Sequence, residues 1–252
     1  MNEQSVVVSC DLPPPRRTGE SVTPQEQKRI VRRGYDKLSY AYRADGTPDD
    51  YEEYASWVAV LAERVPEGSP VLDIGCGCGL PATKLLAGRF DVTGVDFSEV
   101  QIARAKGLVP TARFLCGDIA EQKFPPQSYA AIVSFYAIIH MPLAEHPGLF
   151  RKIASWLRPS GCFLGTVGHT EWTGEDEAYL GVPGGTMCWS HADEATNVRW
   201  IEQAGLHVHW TEFVPEGDSG HTLVLAQKPP VEEAPTGSSS RTRTTRPARP
   251  SR

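Results

Sequence analysis

The sequence predicts an α/β fold, a doubly wound, mixed, seven-stranded sheet with helices on both faces and an antiparallel C-terminal hairpin. Short apolar runs recur along the chain, and most are followed by a stretch long enough for a helix. The runs are residues 70–74, 91–95, 112–116, 129–135 and 161–167. This alternation is typical of parallel strands covered on both sides. A helix near 192–205 then precedes two strand candidates, 206–214 and 220–227. The residues between these strands favour a turn.

Two helices are expected before the first strand. Residues 24–42 carry an apolar stripe at Val31, Tyr35, Leu38 and Tyr42, with spacings typical of a helix. Thr23-Pro24, with Glu26 three residues after Thr23, predicts an N-cap followed by a first-turn proline. Residues 49–65 show a second helical stripe. We therefore expect residues 23–65 to form an N-terminal helical cap.

Length and composition bound the class of protein. The chain has 252 residues, 40% of them hydrophobic, and a net charge of −6, which suits a soluble globular domain. Six cysteines occur without any CxxC pair, so we expect neither a disulfide scaffold nor a metal site. We see no apolar run of the ~20 residues that would span a bilayer and no signal-peptide pattern. A cytoplasmic location and no membrane partner are expected.

The two ends differ from the body in composition. Residues 1–22 are read as a disordered arm, and residues 228–252 as a disordered basic tail with six Lys and Arg against two Glu. The intervening domain, 23–227, is acidic. An acidic surface repels a phosphate backbone, which argues against nucleic-acid binding by the domain. The basic tail is the only feature that favours it.

A glycine-rich loop is the strongest functional signal. A strand runs through Asp73 into Gly75-Cys76-Gly77-Cys78-Gly79, and Asp96 ends the next strand. Glycines allow a sharp turn and the close approach of a ligand, while an acid at the second strand end can accept both hydroxyls of a ribose. Leu80 replaces the last glycine of a dinucleotide fingerprint. Asp73 disfavours a pyrophosphate and favours an ammonium, so a nicotinamide cofactor is a distant alternative.

With these motifs the sequence resembles the class I S-adenosylmethionine-dependent methyltransferases, which have a Rossmann-like fold. The resemblance covers about residues 24–227. It rests on VLDIGCGCG, GVDFS, FLCGDIAEQKFPPQSYAAIVSFYAIIH and LRPSGCFLGTVG, which follow one another with normal spacing. Within the family, the chain most resembles stand-alone small-molecule methyltransferases with an N-terminal helical cap. The implied cofactor is S-adenosyl-L-methionine.

The resemblance implies a role for each residue of these motifs. Asp73 would hold the methionine ammonium, Asp96 the ribose hydroxyls and Asp118 the adenine amino group, although Gly-Asp also makes ordinary turns. Tyr35 and Tyr42 would reach the methionine carboxylate, or else form only a helix core stripe. The remaining cofactor-binding residues are Gly75, Cys76, Gly77, Gly79, Phe97, Ile119 and Phe135.

The acceptor side is less well specified. His140 follows the fourth strand and is the candidate base for an acceptor proton, or else it orders the loop or binds the substrate. Residues 168–191 are rich in Trp, Met and Gly and are interpreted as a lid insertion, with Met187 and Trp189 as substrate-binding candidates. A purely structural excursion is the alternative.

The expected function is transfer of the methyl group of S-adenosylmethionine to a small organic acceptor by in-line displacement. Such a displacement is mainly a positioning problem, because the sulfonium methyl is already activated. RNA or protein methylation and a non-catalytic S-adenosylmethionine-binding module are the alternatives. The acceptor atom, the substrate and the oligomeric state stay open.

Overall fold

The computed structural model describes residues 22–48 and 50–231. Six α-helices and nine β-strands lie within this part of the chain. The helices are α1 (Pro24–Tyr42), α2 (Tyr51–Ala62), α3 (Ala82–Ala87), α4 (Glu99–Leu108), α5 (His146–Trp156) and α6 (Glu194–Gln203). The strands are β1 (Pro70–Ile74), β2 (Asp91–Asp96), β3 (Arg113–Cys116), β4 (Tyr129–Ser134), β5 (Leu157–Gly168), β6 (Trp172–Asp176), β7 (Met187–His191), β8 (His207–Glu216) and β9 (Ser219–Gln227).

The central sheet confirms the predicted fold class. Its seven strands lie in the order β3-β2-β1-β4-β5-β9-β8. The first five run parallel to one another, whereas β9 runs antiparallel to both β5 and β8. The strand order reverses between β1 and β4. Ligands bind in the crevice outside the carboxyl ends of the strands at such a point.

Two hydrophobic cores cover the two faces of the sheet. Successive side chains of a strand point to opposite faces, so Val71 of β1 belongs to one core and Leu72 to the other. The core that contains Leu72 is closed by α5 and α6, and the one that contains Val71 by α2 and α3. This arrangement explains why the central strands read as continuous apolar runs.

Helix α1 is fastened across the edge of the sheet by polar contacts with α4. Its N-cap is the predicted Thr23, whose side chain accepts from the Glu26 N–H. Ser39 donates to Gln101 at 2.8 Å, and the buried Arg104 donates to the carbonyl oxygens of Ser39 and Arg43. The helix therefore has a fixed position above the carboxyl ends of the strands.

Two features differ from the sequence prediction. The connection between the last two strands is shorter than residues 215–220. β8 and β9 extend to Glu216 and Ser219, because Gly217 adopts a φ of 56° that allows a two-residue turn. Residues 168–191 contain strands β6 and β7, which pair as a separate antiparallel sheet.

The predicted arm and tail lie almost wholly outside the described residues, since the structure describes only residue 22 of the arm and residues 228–231 of the tail. Of the helices within the described ranges, none combines the length and the hydropathy that crossing a bilayer requires.

Leu164 tests the packing of the sheet. It is fully buried in β5 between Val133 and Leu225. Leu164→Ala should lower the free energy of unfolding by about 2–5 kcal/mol, because it removes buried methyl groups and leaves a cavity. Leu115→Ala, at an exposed position of β3, is the matched control and should cost far less. Urea denaturation measures both changes, and equal losses would contradict this description of the core.

Candidate active site

A cavity lies at the carboxyl ends of β1, β2 and β4, and α1 forms its outer wall. Twelve residues predicted from the sequence line it. They are Tyr35, Tyr42, Asp73, Gly75, Cys76, Gly77, Asp96, Phe97, Asp118, Ile119, Phe135 and His140. The structure thus brings the glycine loop, both strand-end acids and the candidate base into one cleft.

The loop after β1 turns because its glycines adopt backbone conformations that other residues avoid. Gly75 has a φ of 71°, and its N–H and that of Cys76 both donate to the Val95 carbonyl. A Cβ on Gly75 would collide with the Cβ of Ala137. Gly77 has a φ of 54° and open space where its Cβ would lie. The loop therefore presents bare backbone to the cavity.

Asp73 is the deepest acid of the site. Its side chain is 2% exposed, and one carboxylate oxygen accepts from the Thr83 hydroxyl at 2.6 Å. The pKa of Asp73 is raised to about 7, chiefly by burial and also by the nearby Asp96, while the Thr83 hydrogen bond opposes the rise. The carboxyl group is therefore held where its charged form lacks a counter-charge.

Asp96 ties the end of β2 to the glycine loop. Its two oxygens accept from the N–H of Gly77 at 3.0 Å and from the N–H of Ser98 at 2.9 Å. Burial raises the pKa of Asp96 to about 6. The backbone hydrogen bonds oppose this rise, and the neighbouring Asp36 adds to it. Each carboxylate oxygen can still accept another hydrogen bond.

Two neighbouring carboxyl groups with raised pKa values lower the stability of the folded protein when they are charged, because both are partly removed from water. Strongly shifted carboxyl groups in a cleft are typical of binding and catalytic sites. The arrangement favours a ligand that brings a positive charge to Asp73 and hydrogen-bond donors to Asp96.

Asp118 is engaged by α1. One of its oxygens accepts from Lys28 at 2.6 Å, and Lys28 also pairs with Glu145 at 2.7 Å. Its other oxygen accepts from the N–H of Ala120 at 2.8 Å. Asp118 lines the cavity as predicted, and it also fastens α1 to the loop after β3.

His140 is a buried, neutral imidazole. Its Nδ1 lies 2.8 Å from the carbonyl oxygen of Cys188 and donates to it, since a carbonyl can only accept. Burial lowers the pKa of His140 to about 4, although the Cys188 hydrogen bond raises it. Its Nε2 therefore carries a lone pair at neutral pH. This state can accept a proton, but the low pKa makes the imidazole a weak base.

Three predicted residues do not line the cavity. Gly79 has a φ of 84°, and a Cβ there would lie 3.0 Å from Val109, so this glycine serves the turn and the packing on α4. Met187 and Trp189 are buried beneath α1, where they pack with Leu38 and Ile139, and Trp189 stacks beside His140. Apolar side chains of residues 168–191 thus pack against α1 and His140 on the side away from the cavity.

Sequence reasoning missed Arg43 and Tyr136. Arg43 lines the cavity, forms a two-point ion pair with Asp50 at 2.6 and 2.9 Å, and has a buried Nε without a partner among the described residues. The sequence feature that could have identified Arg43 is its position directly after the helical stripe that ends at Tyr42. Tyr136 lines the cavity with a φ of 55°, a conformation that no local pattern indicates.

The sequence is similar to known proteins over part of its length. Residues 71–161 match a family described as a methyltransferase domain. The sterol 24-C-methyltransferase of Aspergillus fumigatus is 35% identical over 131 residues, which are 48% of this chain and 33% of that protein. Phosphoethanolamine N-methyltransferase 1 of Arabidopsis thaliana is 36% identical over 103 residues, which are 38% of this chain and 20% of that protein. The chain therefore matches about a third or less of the length of these relatives.

A solved structure extends the likeness to the whole fold. The 1,6-didemethyltoxoflavin-N1-methyltransferase of Burkholderia thailandensis has a TM-score of 0.65 and 18% sequence identity. The superposition covers 85% of this chain and 94% of that one. At this identity the likeness concerns the fold.

The raised pKa of Asp73 predicts how stability depends on pH. The folded chain binds this proton more tightly than the unfolded chain, so the free energy of unfolding should fall as the pH rises from about 4 to about 7. Asp73→Asn removes the titration. Its stability relative to the wild type should therefore increase over that range, by an amount on the order of 2–4 kcal/mol. Urea denaturation at several pH values measures the difference. Parallel pH profiles for the two proteins would contradict the burial of a carboxylate here.

Proposed function

We propose that this chain is a class I S-adenosylmethionine-dependent methyltransferase and that it transfers the methyl group of S-adenosylmethionine to a small organic acceptor. The observation that carries the proposal is the bare glycine loop between two carboxyl groups, the buried Asp73 and the half-buried Asp96. A sulfonium nucleoside with an amino-acid tail presents an ammonium and two ribose hydroxyls, which complement these two acids.

The amino-acid end of the cofactor fits the inner part of the cavity. Asp73 would bind the ammonium with its carboxylate, and the positive charge of the ammonium would lower the raised pKa of Asp73. Arg43 offers a buried Nε to the carboxylate of the same group, and Tyr35 and Tyr42 line the wall beside it. A Cβ on Gly75 has no room next to Ala137, so the backbone forms this part of the cradle.

The nucleoside end fits the opposite part. Asp96 would accept from the ribose hydroxyls with the lone pairs that its two backbone donors leave free. Phe97 and Ile119 line the cavity as apolar surfaces for the adenine. Asp118 would accept from the adenine amino group while it keeps its ion pair with Lys28.

The chain contributes mainly positioning to the reaction. S-adenosylmethionine supplies a methyl group that is already activated as a sulfonium substituent. The aromatic walls of Phe135, Tyr54 and Tyr136 exclude water from the cavity and restrict the orientation of an acceptor. His140 presents a neutral imidazole whose Nε2 can take a proton from a hydroxyl or amine as the acceptor loses it.

A small-molecule acceptor is favoured over RNA. The domain is acidic, α1 forms the outer wall of the cavity, and most of the cavity surface is apolar. The relatives named above carry out methylation at carbon and at nitrogen according to their names, so the acceptor atom is not restricted to one element.

The five cysteines of the described part are thiols, which supports a reducing cytoplasm as the location.

Asp96→Asn tests the role of the second acid. The substitution removes the charge that strengthens hydrogen bonds from the ribose hydroxyls, so S-adenosylhomocysteine should bind about 10–100-fold more weakly. Asp91→Asn is the matched control, since Asp91 is exposed at the start of the same strand, and it should leave the affinity unchanged. Isothermal titration calorimetry measures both. Wild-type affinity in Asp96→Asn would contradict the assignment.

The activity itself is tested by mass spectrometry. The protein is incubated with S-adenosylmethionine and a panel of small amines, hydroxyl compounds, thiols and unsaturated hydrocarbons, together with RNA and protein substrates. The proposal predicts a product one methyl group heavier than a small acceptor. Methylation of RNA or protein alone would favour the first alternative. Cofactor binding without turnover on the whole panel would favour a non-catalytic module.

A further inference from the structure

Lys28 is the charged member of the α1 face that lines the cavity. Lys28, Val31, Tyr35 and Tyr42 all line it, and their spacings of three, four and seven residues place them on one side of the helix. The side chain of Lys28 is 21% exposed. A lysine that is buried to this extent among apolar and aromatic side chains needs partners for its charge.

Two carboxylates hold the ammonium of Lys28. Its Nζ lies 2.6 Å from Oδ2 of Asp118 and 2.7 Å from Oε2 of Glu145. Burial lowers the pKa of Lys28, but the hydrogen bonds to the two carboxylates outweigh burial and raise it. A lysine ammonium has three N–H donors. Within the described ranges Asp118 and Glu145 take two of them, so one donor remains.

Asp118 is fixed beside this donor. Its Oδ1 accepts from the N–H of Ala120 at 2.8 Å, while Oδ2 accepts from Lys28. Each oxygen of a carboxylate can accept a second hydrogen bond. Both side chains line the cavity. The cavity wall therefore presents a donor, Nζ of Lys28, directly beside an acceptor, Oδ2 of Asp118.

This ion pair forms one end of the cavity. Lys28 and Asp118 also line an outer cleft between α1 and α5, together with Glu145, so the pair separates the two spaces. Of the lysines and arginines in the described ranges, Arg43 is the other one that lines the cavity. It follows the far end of α1, about 22 Å along the helix axis from Lys28. Lys28 is thus the cation at the Asp118 end.

A neighbouring donor and acceptor match the edge of an adenine. The 6-amino group of adenine is a donor, and the ring nitrogens N1 and N7 on either side of it are acceptors. Asparagine and glutamine recognise adenine in DNA because one side chain carries both a donor and an acceptor. Lys28 and Asp118 offer the same two functions on two side chains.

We propose that Lys28 is a cofactor-binding residue whose third N–H donates to a ring nitrogen beside the adenine 6-amino group, while Asp118 accepts from that amino group. The proposal rests on the methyl-transfer function above and adds a second residue that recognises the base. The donor is charged and is fixed by two carboxylates, so the contact selects a base with a lone pair at this ring position.

Three ligands that differ in one ring atom test the role of Lys28. They are S-adenosylhomocysteine and its 1-deaza and 7-deaza analogues, in which C–H replaces one ring nitrogen. Isothermal titration calorimetry measures their affinities. We expect the wild type to bind at least one analogue at least about fivefold more weakly than S-adenosylhomocysteine. In Lys28→Met this difference should disappear, because the donor is absent.

Glu145→Gln is the matched control. It removes the charge of the other partner of Lys28, and Glu145 does not line the cavity. This variant loosens the attachment of α1 but keeps the donor, so it should retain the weaker binding of the analogue. If Lys28 served only to fasten α1, its replacement would weaken all three ligands equally.

The outcomes separate this proposal from the proposed function. Absence of S-adenosylhomocysteine binding by the wild type would defeat the methyltransferase proposal. Equal affinity of the wild type for the three ligands, or a difference that persists in Lys28→Met, would overturn the role of Lys28 alone. So would a folded Lys28→Met protein that binds none of them, since Lys28 would then only hold α1 in place. The wild-type comparison needs no variant, and Lys28→Ala replaces Lys28→Met if the latter does not fold.

Discussion

A pair of carboxyl groups at the ends of neighbouring parallel strands is the constraint on which the site depends. β1 and β2 pair in register, with Ile74 opposite Val95, so the buried Asp73 and the half-buried Asp96 meet at one edge of the sheet. Desolvation raises the pKa of both carboxyl groups, and the charge of Asp96 contributes to the rise at Asp73. The Thr83 hydroxyl and two backbone N–H groups oppose part of this rise. A ligand with a cation and hydroxyl groups would oppose the rest, and we propose that the two acids select such a ligand.

The remaining elements close the cleft around these acids. α1 is held at both ends, by Lys28 on Asp118 and Glu145, and by Arg104 on the last turn of the helix. Strands β6 and β7 pack beneath α1 and fix His140 through the carbonyl of Cys188. The acids and the glycine loop of the cavity thus lie at the ends of parallel strands, whereas the insertion supports His140 and α1 from outside the cavity.

Local patterns were sufficient for the seven strands of the central sheet, the helices and the glycine loop, because strand and helix periodicities and positive φ angles depend on neighbouring residues. Strands β6 and β7 were not predicted. Which side chains line the cavity depends on long-range packing. Gly79 belongs to the glycine motif, yet it packs on α4 rather than lining the cavity. Trp189 lies in a segment rich in aromatic residues, yet it faces the core under α1. Tyr136 lines the cavity with a positive φ that no spacing in the sequence reveals, whereas Arg43 follows directly on the α1 stripe.

We propose that Asp73 loses its proton when the ammonium of S-adenosylmethionine binds beside it. Calorimetric titration of S-adenosylhomocysteine at a pH of about 6.5, in two buffers with different enthalpies of ionisation, counts the protons transferred on binding. Because the pKa of Asp73 is about 7 in the free protein and a nearby cation lowers it, we expect a net release of protons. This release should be smaller in Asp73→Asn. Binding without proton release, or with proton uptake, would rule out this role of Asp73.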